Sequence, residues 1–78
     1  MEVSGIKSKV ENVRGKVRWF DSKLGYGFII SNDGEDIFVH YSFIEMEGYK
    51  TLNVDEEVIY DLVITDQGKS QAHSVRKA

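Results

Sequence analysis

Leu24-Gly-Tyr-Gly-Phe-Ile-Ile30 and Ile37-Phe-Val-His40 are two short runs in which aromatic and aliphatic side chains take turns. In an extended chain successive side chains point to opposite faces. Tyr26, Phe28, Phe38 and His40 then share one face, while Ile29, Ile37 and Val39 share the other. The aliphatic face is enough to line a barrel. Leaving rings in water forgoes about 1.5–3 kcal/mol of burial for each large apolar side chain, a cost that asks for a partner. Flat rings at strand spacing suit the faces of unpaired bases, where stacking contributes about 1–3 kcal/mol per base.

Ser31-Asn-Asp-Gly-Glu35 lies between the runs, and its Asp-Gly supplies the positive backbone dihedrals that a hairpin turn needs. Antiparallel pairing across that turn makes the rings a continuous patch. Upstream, Asp21-Ser-Lys-Leu-Gly25 reads as a turn and Gly15-Lys-Val-Arg-Trp-Phe20 as the first strand. Simple alternation puts Val17 and Trp19 on the inner face, with Arg18 and Phe20 opposite; a bend near Asp21 and Ser22 would instead turn Trp19 outward beside Arg18. Gly27 falls on the inner face, where a missing side chain allows close packing of another strand. Downstream, Tyr41-Ser-Phe-Ile44 is a single turn, followed by a loop over residues 45–53. Tyr49 in that loop is either a ring folded over the loop's own base or one more stacking surface. Residues 57–65 read as a strand with Val58, Tyr60, Leu62 and Ile64 on one face. A polar hairpin over residues 66–69 leads to a last strand over residues 70–76 that carries Ala72 and Val75. Short strands at regular intervals, with no apolar stripe of helical period, predict an all-β barrel or sandwich, and a small closed barrel best removes exposed strand edges.

The chain has 78 residues, the size of one small domain, and no cysteine, so neither a disulfide framework nor a thiolate metal site is available. Residues 1–14 show scattered Val and Ile without a sustained period: a frayed tail, a short helical turn or an added edge strand. The expected organisation is an N-terminal extension over residues 1–14, flexible or loosely docked, and a single binding domain over residues 15–78. No apolar stretch of signal-peptide or membrane-span length opens the chain, so a cytoplasmic protein with no membrane partner is expected. The net charge of −3, from 10 basic and 13 acidic residues, counts against a polyanion. Its distribution counts the other way. Arg18 and Lys23 flank the aromatic runs, while the acids gather at Glu45, Glu47, Asp55, Glu56, Glu57, Asp61 and Asp66. The implied affinity is moderate and salt-sensitive.

His40 is either a surface ring that stacks or a hydrogen-bonded structural residue, and His73 reads as an exposed or half-buried strand residue. The two histidines and the scattered carboxylates have no metal-ligand spacing. Asp55-Glu-Glu57 are adjacent solvated acids, no serine has a neighbouring base, and Gly25-Tyr-Gly27 is not followed by a helix that would make it a phosphate loop. No enzyme and no cofactor is expected.

Residues 15–77 resemble the cold-shock domain, the five-stranded oligonucleotide-binding barrel of bacterial cold-shock proteins and Y-box proteins. The resemblance is carried by Gly-Lys-Val-Arg-Trp-Phe, by Gly-Tyr-Gly-Phe-Ile and Ile-Phe-Val-His-Tyr as the two ribonucleoprotein motifs in order, and by Gly-Tyr-Lys-Thr-Leu. RNA-recognition-motif folds share such motifs but need two helices. The resemblance implies a small five-stranded antiparallel OB-fold-type barrel that binds single-stranded RNA and DNA with weak sequence preference, acting as a monomer and as an RNA chaperone. It places stacking positions at Trp19, Tyr26, Phe28, Phe38, His40, Tyr41 and Tyr49, which turns Trp19 outward against simple alternation. It also sets Arg18, in the place of a family lysine, near the nucleic-acid backbone, and Asp36 where a carboxylate can hydrogen-bond a base edge; Lys23, from its position among the basic residues near the rings, is a further candidate binding residue. Leu24 stands where the family usually has lysine, Gly68 where some members are basic, and the usual proline near Ser70 is missing. The leader is longer than the family's. Weaker binding on an intact stacking platform is the expectation. The competing assignment is a small barrel that docks a peptide or an oligosaccharide on the same rings.

Overall fold

Alternation and turn chemistry translate directly into strands. The computed structural model describes residues 5–46 and 51–78. Its elements are β1 (Ile6–Asp21), β2 (Tyr26–Ser31), β3 (Asp36–His40), the 3-10 turn η1 (Tyr41–Phe43), β4 (Glu57–Thr65) and β5 (Ser70–Lys77). They close into a barrel in the order β1-β2-β3-β5-β4. Neighbours are antiparallel except β3 and β5, which run parallel through Phe38↔Gln71 and Val39↔Ala72. The five-stranded OB-type barrel expected from the sequence is therefore the fold.

Register shows how the barrel closes. A single row of paired residues runs Lys9↔Val63, Val63↔Gln71, Gln71↔Phe38, Phe38↔Phe28 and Phe28↔Trp19. The row starts and ends on β1, ten residues apart, and this stagger is what tilts the strands and lets so few of them enclose a core. Val17, Ile29, Ile37, Val39, Val58, Tyr60, Ala72 and Val75 from the strands fill the interior together with Ile44 and Leu52.

Only β1 is long enough to pair with both neighbours along different parts of its length. Gly15 through Asp21 pair with β2, and Ile6 through Lys16 pair with β4. Of the conformations left open for the leader, residues 6–14 adopt the strand. An irregularity between Val10 and Val13 accommodates an extra residue, with Asn12 at φ 60°. There the Asn12 N–H donates to Asp61 Oδ1 at 3.2 Å, the Lys9 ammonium lies 3.9 Å from the same carboxylate, and the Arg76 guanidinium donates to the Asn12 side chain. Asp61, on the outer side of β4, is only 8% exposed, so these partners offset the cost of covering its charge.

A second bulge decides where Trp19 points. The β1–β2 register shifts between Val17, opposite Ile29, and Trp19, opposite Phe28. The extra residue, Arg18, reverses the alternation. Val17 stays inside, Trp19 turns outside, and Phe20 packs against the core. Alternation over residues 15–20 predicts the opposite for Trp19, and it fails because it assumes a regular strand. The Asp55–Glu56 turn holds the bulge by bonding Val17 on both sides, with Val17 N–H to Glu56 O at 2.9 Å and Asp55 N–H to Val17 O at 2.7 Å. Gly27 permits it: a Cβ there would lie 2.2 Å from Trp19 O and 2.6 Å from the Phe20 Cα.

Both contacts are with backbone, so Gly27→Ala has no side chain to push aside. The substitution is expected to destabilise the barrel by at least about 2 kcal/mol and to shift Trp19 emission, read by urea unfolding and fluorescence. Tyr60 gives the opposite expectation. Its hydroxyl is buried with no hydrogen-bond partner among the described residues, and burial raises its pKa above the ordinary value. Tyr60→Phe removes that orphaned group and should raise stability by about 1 kcal/mol; a lowered urea midpoint would show that the hydroxyl is satisfied in solution.

Candidate nucleic-acid interface

β2 and β3 pair with Tyr26 opposite His40 and Phe28 opposite Phe38, and the bulge brings Trp19 opposite Phe28. The result is a closed circuit of four rings on the outer surface. Centroids lie 5.6 Å apart for Trp19–Phe28, 5.8 Å for Phe28–Phe38, 5.6 Å for Phe38–Tyr26 and 5.9 Å for Tyr26–Trp19. Each pair is tilted or edge-on, so the rings support one another while ring faces remain open to the outside. Trp19 is 37% exposed, and Tyr26, Phe28 and Phe38 are half-buried.

His40 and Tyr41 extend the patch as a second pair, with centroids 4.6 Å apart. The Ser42 N–H donates to His40 Nδ1 at 3.2 Å and Ser42 Oγ lies 2.9 Å from it, so the neutral ring carries its proton on Nε2. Tyr41 is held by the β1–β2 turn: its N–H donates to Gly25 O at 2.9 Å, and its ring covers Gly25, where a Cβ would meet it at 2.9 Å. Gly25 sits at φ 84°, a left-handed conformation that glycine adopts freely. In the same turn the Lys23 and Leu24 N–H groups donate to Asp21 Oδ1, which leaves the Lys23 side chain exposed.

Arg18 and Asp36, read separately in the sequence, belong together in space. Arg18 Nε donates to Asp36 Oδ1 at 3.1 Å across the end of β2, and both side chains are about half exposed. An ion pair this exposed adds little stability; its effect is to fix two polar groups beside the rings. Tyr49 lies outside the described residues. Trp19, Tyr26, Phe28, Phe38, His40 and Tyr41 thus form one surface, Arg18 and Asp36 border it, and Lys23 stands on the adjoining turn. Among the described residues no group of three or more His, Cys, Asp or Glu comes together as a metal site would require, and no helix is long and apolar enough to cross a membrane.

A further pair was missed by sequence reasoning. Phe43 on η1 and His73 on β5 stack almost parallel, with centroids 3.9 Å apart and planes 6° from coplanar. Neither residue stands in an alternating aromatic run, and they meet because η1 packs beside β5, where Ile44 bridges to Val75. Nothing in local sequence signals that contact.

A family model described as the 'Cold-shock' DNA-binding domain matches residues 13–78. A cold shock-like protein from Thermotoga maritima is 52% identical over 61 residues, covering 78% of this chain and 92% of that protein. The cold shock protein CspB of Bacillus caldolyticus is 44% identical over 63 residues, covering 81% of this chain and 96% of that protein. The match to the family model begins at Val13, so residues 6–12 of β1 lie before it.

His73 supplies a pH test of this surface. Burial, aided by the Lys9 charge and opposed by Asp61, holds its imidazole below the ordinary value of 6.5. Well above pH 6.5 both folded and unfolded rings are neutral. As the pH falls past that value the unfolded chain takes up a proton that the folded ring resists, so stability declines until the folded value is passed. Urea midpoints should fall between about pH 7.5 and about pH 5.5, and the fall should shrink in His73→Gln; an equal fall in the variant would assign the slope to other groups.

Proposed function

The chain belongs to the cold-shock DNA-binding domain family, and on that footing we propose that it binds single-stranded RNA and DNA and acts as an RNA chaperone. Nucleic-acid binding comes with the family. The preference for unpaired strand is carried by one observation, the circuit of Trp19, Phe28, Phe38 and Tyr26 on the barrel's outer surface. A duplex buries base faces inside its own stack, whereas an open strand can lay them on exposed rings. His40 and Tyr41 continue the platform, and Tyr49, outside the described residues, is included in this reading as a further stacking ring. Arg18 and Lys23 meet phosphates. Asp36 accepts from a base edge that carries an N–H, with the Arg18 contact exchanged or shared on binding.

A protein that binds the open strand and not the duplex draws marginal hairpins open by mass action, with no ATP and no cofactor. Stacking tolerates every base, so sequence preference is slight. The net charge of −3 and the apolar Leu24 on the turn beside the platform keep affinity moderate. The protein works as a cytoplasmic monomer on this reading, and no membrane takes part.

The chain has a single Trp, so fluorescence reports the platform directly. Titration with oligothymidine should quench Trp19, with a salt slope of about −0.7 per phosphate neutralised. Phe28→Ala and Phe38→Ala should each weaken binding by about 1–3 kcal/mol. Both should still fold, because neither side chain belongs to the buried core. No quenching at low salt, or unchanged affinity in both variants, would reassign the rings to a peptide or oligosaccharide ligand.

A further inference from the structure

The geometry points to an additional base-stacking position, formed by Phe43 with His73, that takes a nucleotide of the same bound strand beyond those held by the four-ring circuit and the His40–Tyr41 pair. It rests on the single-strand reading above and extends it to a part of the barrel that no ribonucleoprotein motif covers. Phe43 follows Tyr41 by two residues on η1, while His73 comes from β5, so a chain turn and a strand distant in sequence build it together.

Exposure sets Phe43 apart from a ring that only anchors its turn. The next residue, Ile44, enters the core at 1% exposure, whereas Phe43 keeps 37% of its surface in solvent. One ring face is taken by His73. The stack is nearly parallel, at 6°, unlike the tilted contacts of the circuit, so His73 occupies one face and a base would meet the exposed remainder of the Phe43 ring. His73 is fixed in turn, with Nε2 lying 3.2 Å from Gln71 Oε1.

Continuity with the platform comes through Gln71. It pairs with Phe38 across the parallel β3–β5 contact and bonds His73 on its own strand, so Phe38, Gln71, His73 and Phe43 form an unbroken sequence of neighbours. A strand leaving Phe38 toward β5 meets the stacked pair next. Among the described residues the cation whose charge acts on His73 is Lys9, and its ammonium lies 3.9 Å from both Asp61 and Glu11 and is already answered by them. Binding here therefore comes from stacking rather than phosphate attraction, and its loss should leave the salt slope unchanged.

The experiment compares Phe43→Ala, Phe43→Leu and Phe28→Ala with the unaltered protein. Each binds a short oligothymidine of about four nucleotides, near the lower limit of site size for such folds, and a long one of about ten, well inside the range. Phe43→Ala should weaken long-strand binding about 5- to 150-fold, the span that one stacked base supplies, with short-strand affinity and salt slope unchanged. Phe43→Leu keeps apolar volume against His73 but has no π face, and should lose as much as Ala. Circular dichroism and urea midpoints confirm that each variant is folded. Unchanged long-strand affinity in Phe43→Ala, while Phe28→Ala still weakens both strands, overturns this position and leaves the main platform standing. Recovery by Leu overturns it as well, by reducing Phe43 to packing. Failure of the unaltered protein to bind either strand removes the underlying reading and this one with it.

Discussion

Where β1 crosses β2, Gly27 faces Phe20 at a distance that leaves no room for a Cβ, and this close approach is the constraint on which the outer surface depends. It allows the bulge at Arg18, which moves the strand from one alternation to the other within a single residue. Val17 can then serve the interior and Trp19 the exterior. Without the bulge a strand feeding Val17 inward would carry Trp19 with it, and the ring circuit would lose the member that touches both Phe28 and Tyr26. The same crossing turns Phe20 inward to pack against the core. A backbone irregularity thus separates the requirements of packing from those of the surface.

The rings also explain how an acidic chain is compatible with a polyanionic partner. On the stacking mode proposed above, long-range attraction is weak because the net charge is −3, and affinity comes from short-range contacts, of which stacking is the one that salt does not screen. The fold sets the four rings on three adjacent strands, with the Arg18–Asp36 ion pair at their border. Asp61 lies away from the rings, covered, with the Lys9 ammonium 3.9 Å from its carboxylate and the Asn12 N–H donating to it.

Those neighbours belong to the part of β1 that precedes the family match. Residues 6–12 continue the strand along β4 and carry the bulge at Asn12, which is tied to β4 through Asp61 and to β5 through Arg76. They therefore meet the barrel through specific polar partners as well as through ladder hydrogen bonds. The row of paired residues that ends at Trp19 begins on this segment, at Lys9. The leader and the aromatic face are opposite ends of one turn around the barrel.

The sequence by itself determined the strands from β2 onward, the hairpin between β2 and β3, and the shared face of Tyr26, Phe28, Phe38 and His40. Alternation and turn residues are local properties, and a period of two needs no partner to be read. The orientation of Trp19 was legible only through resemblance, because a bulge inserts one residue and inverts every assignment beyond it. The Arg18–Asp36 pair, the buried Asp61 and the Phe43–His73 stack were decided by the tertiary structure alone. Each joins residues that approach one another only once the barrel has closed: across the end of β2, from the leader to β4, and through the parallel contact that brings β3 and its following turn beside β5. Closure fixes the stagger, and the stagger fixes which distant side chains become neighbours.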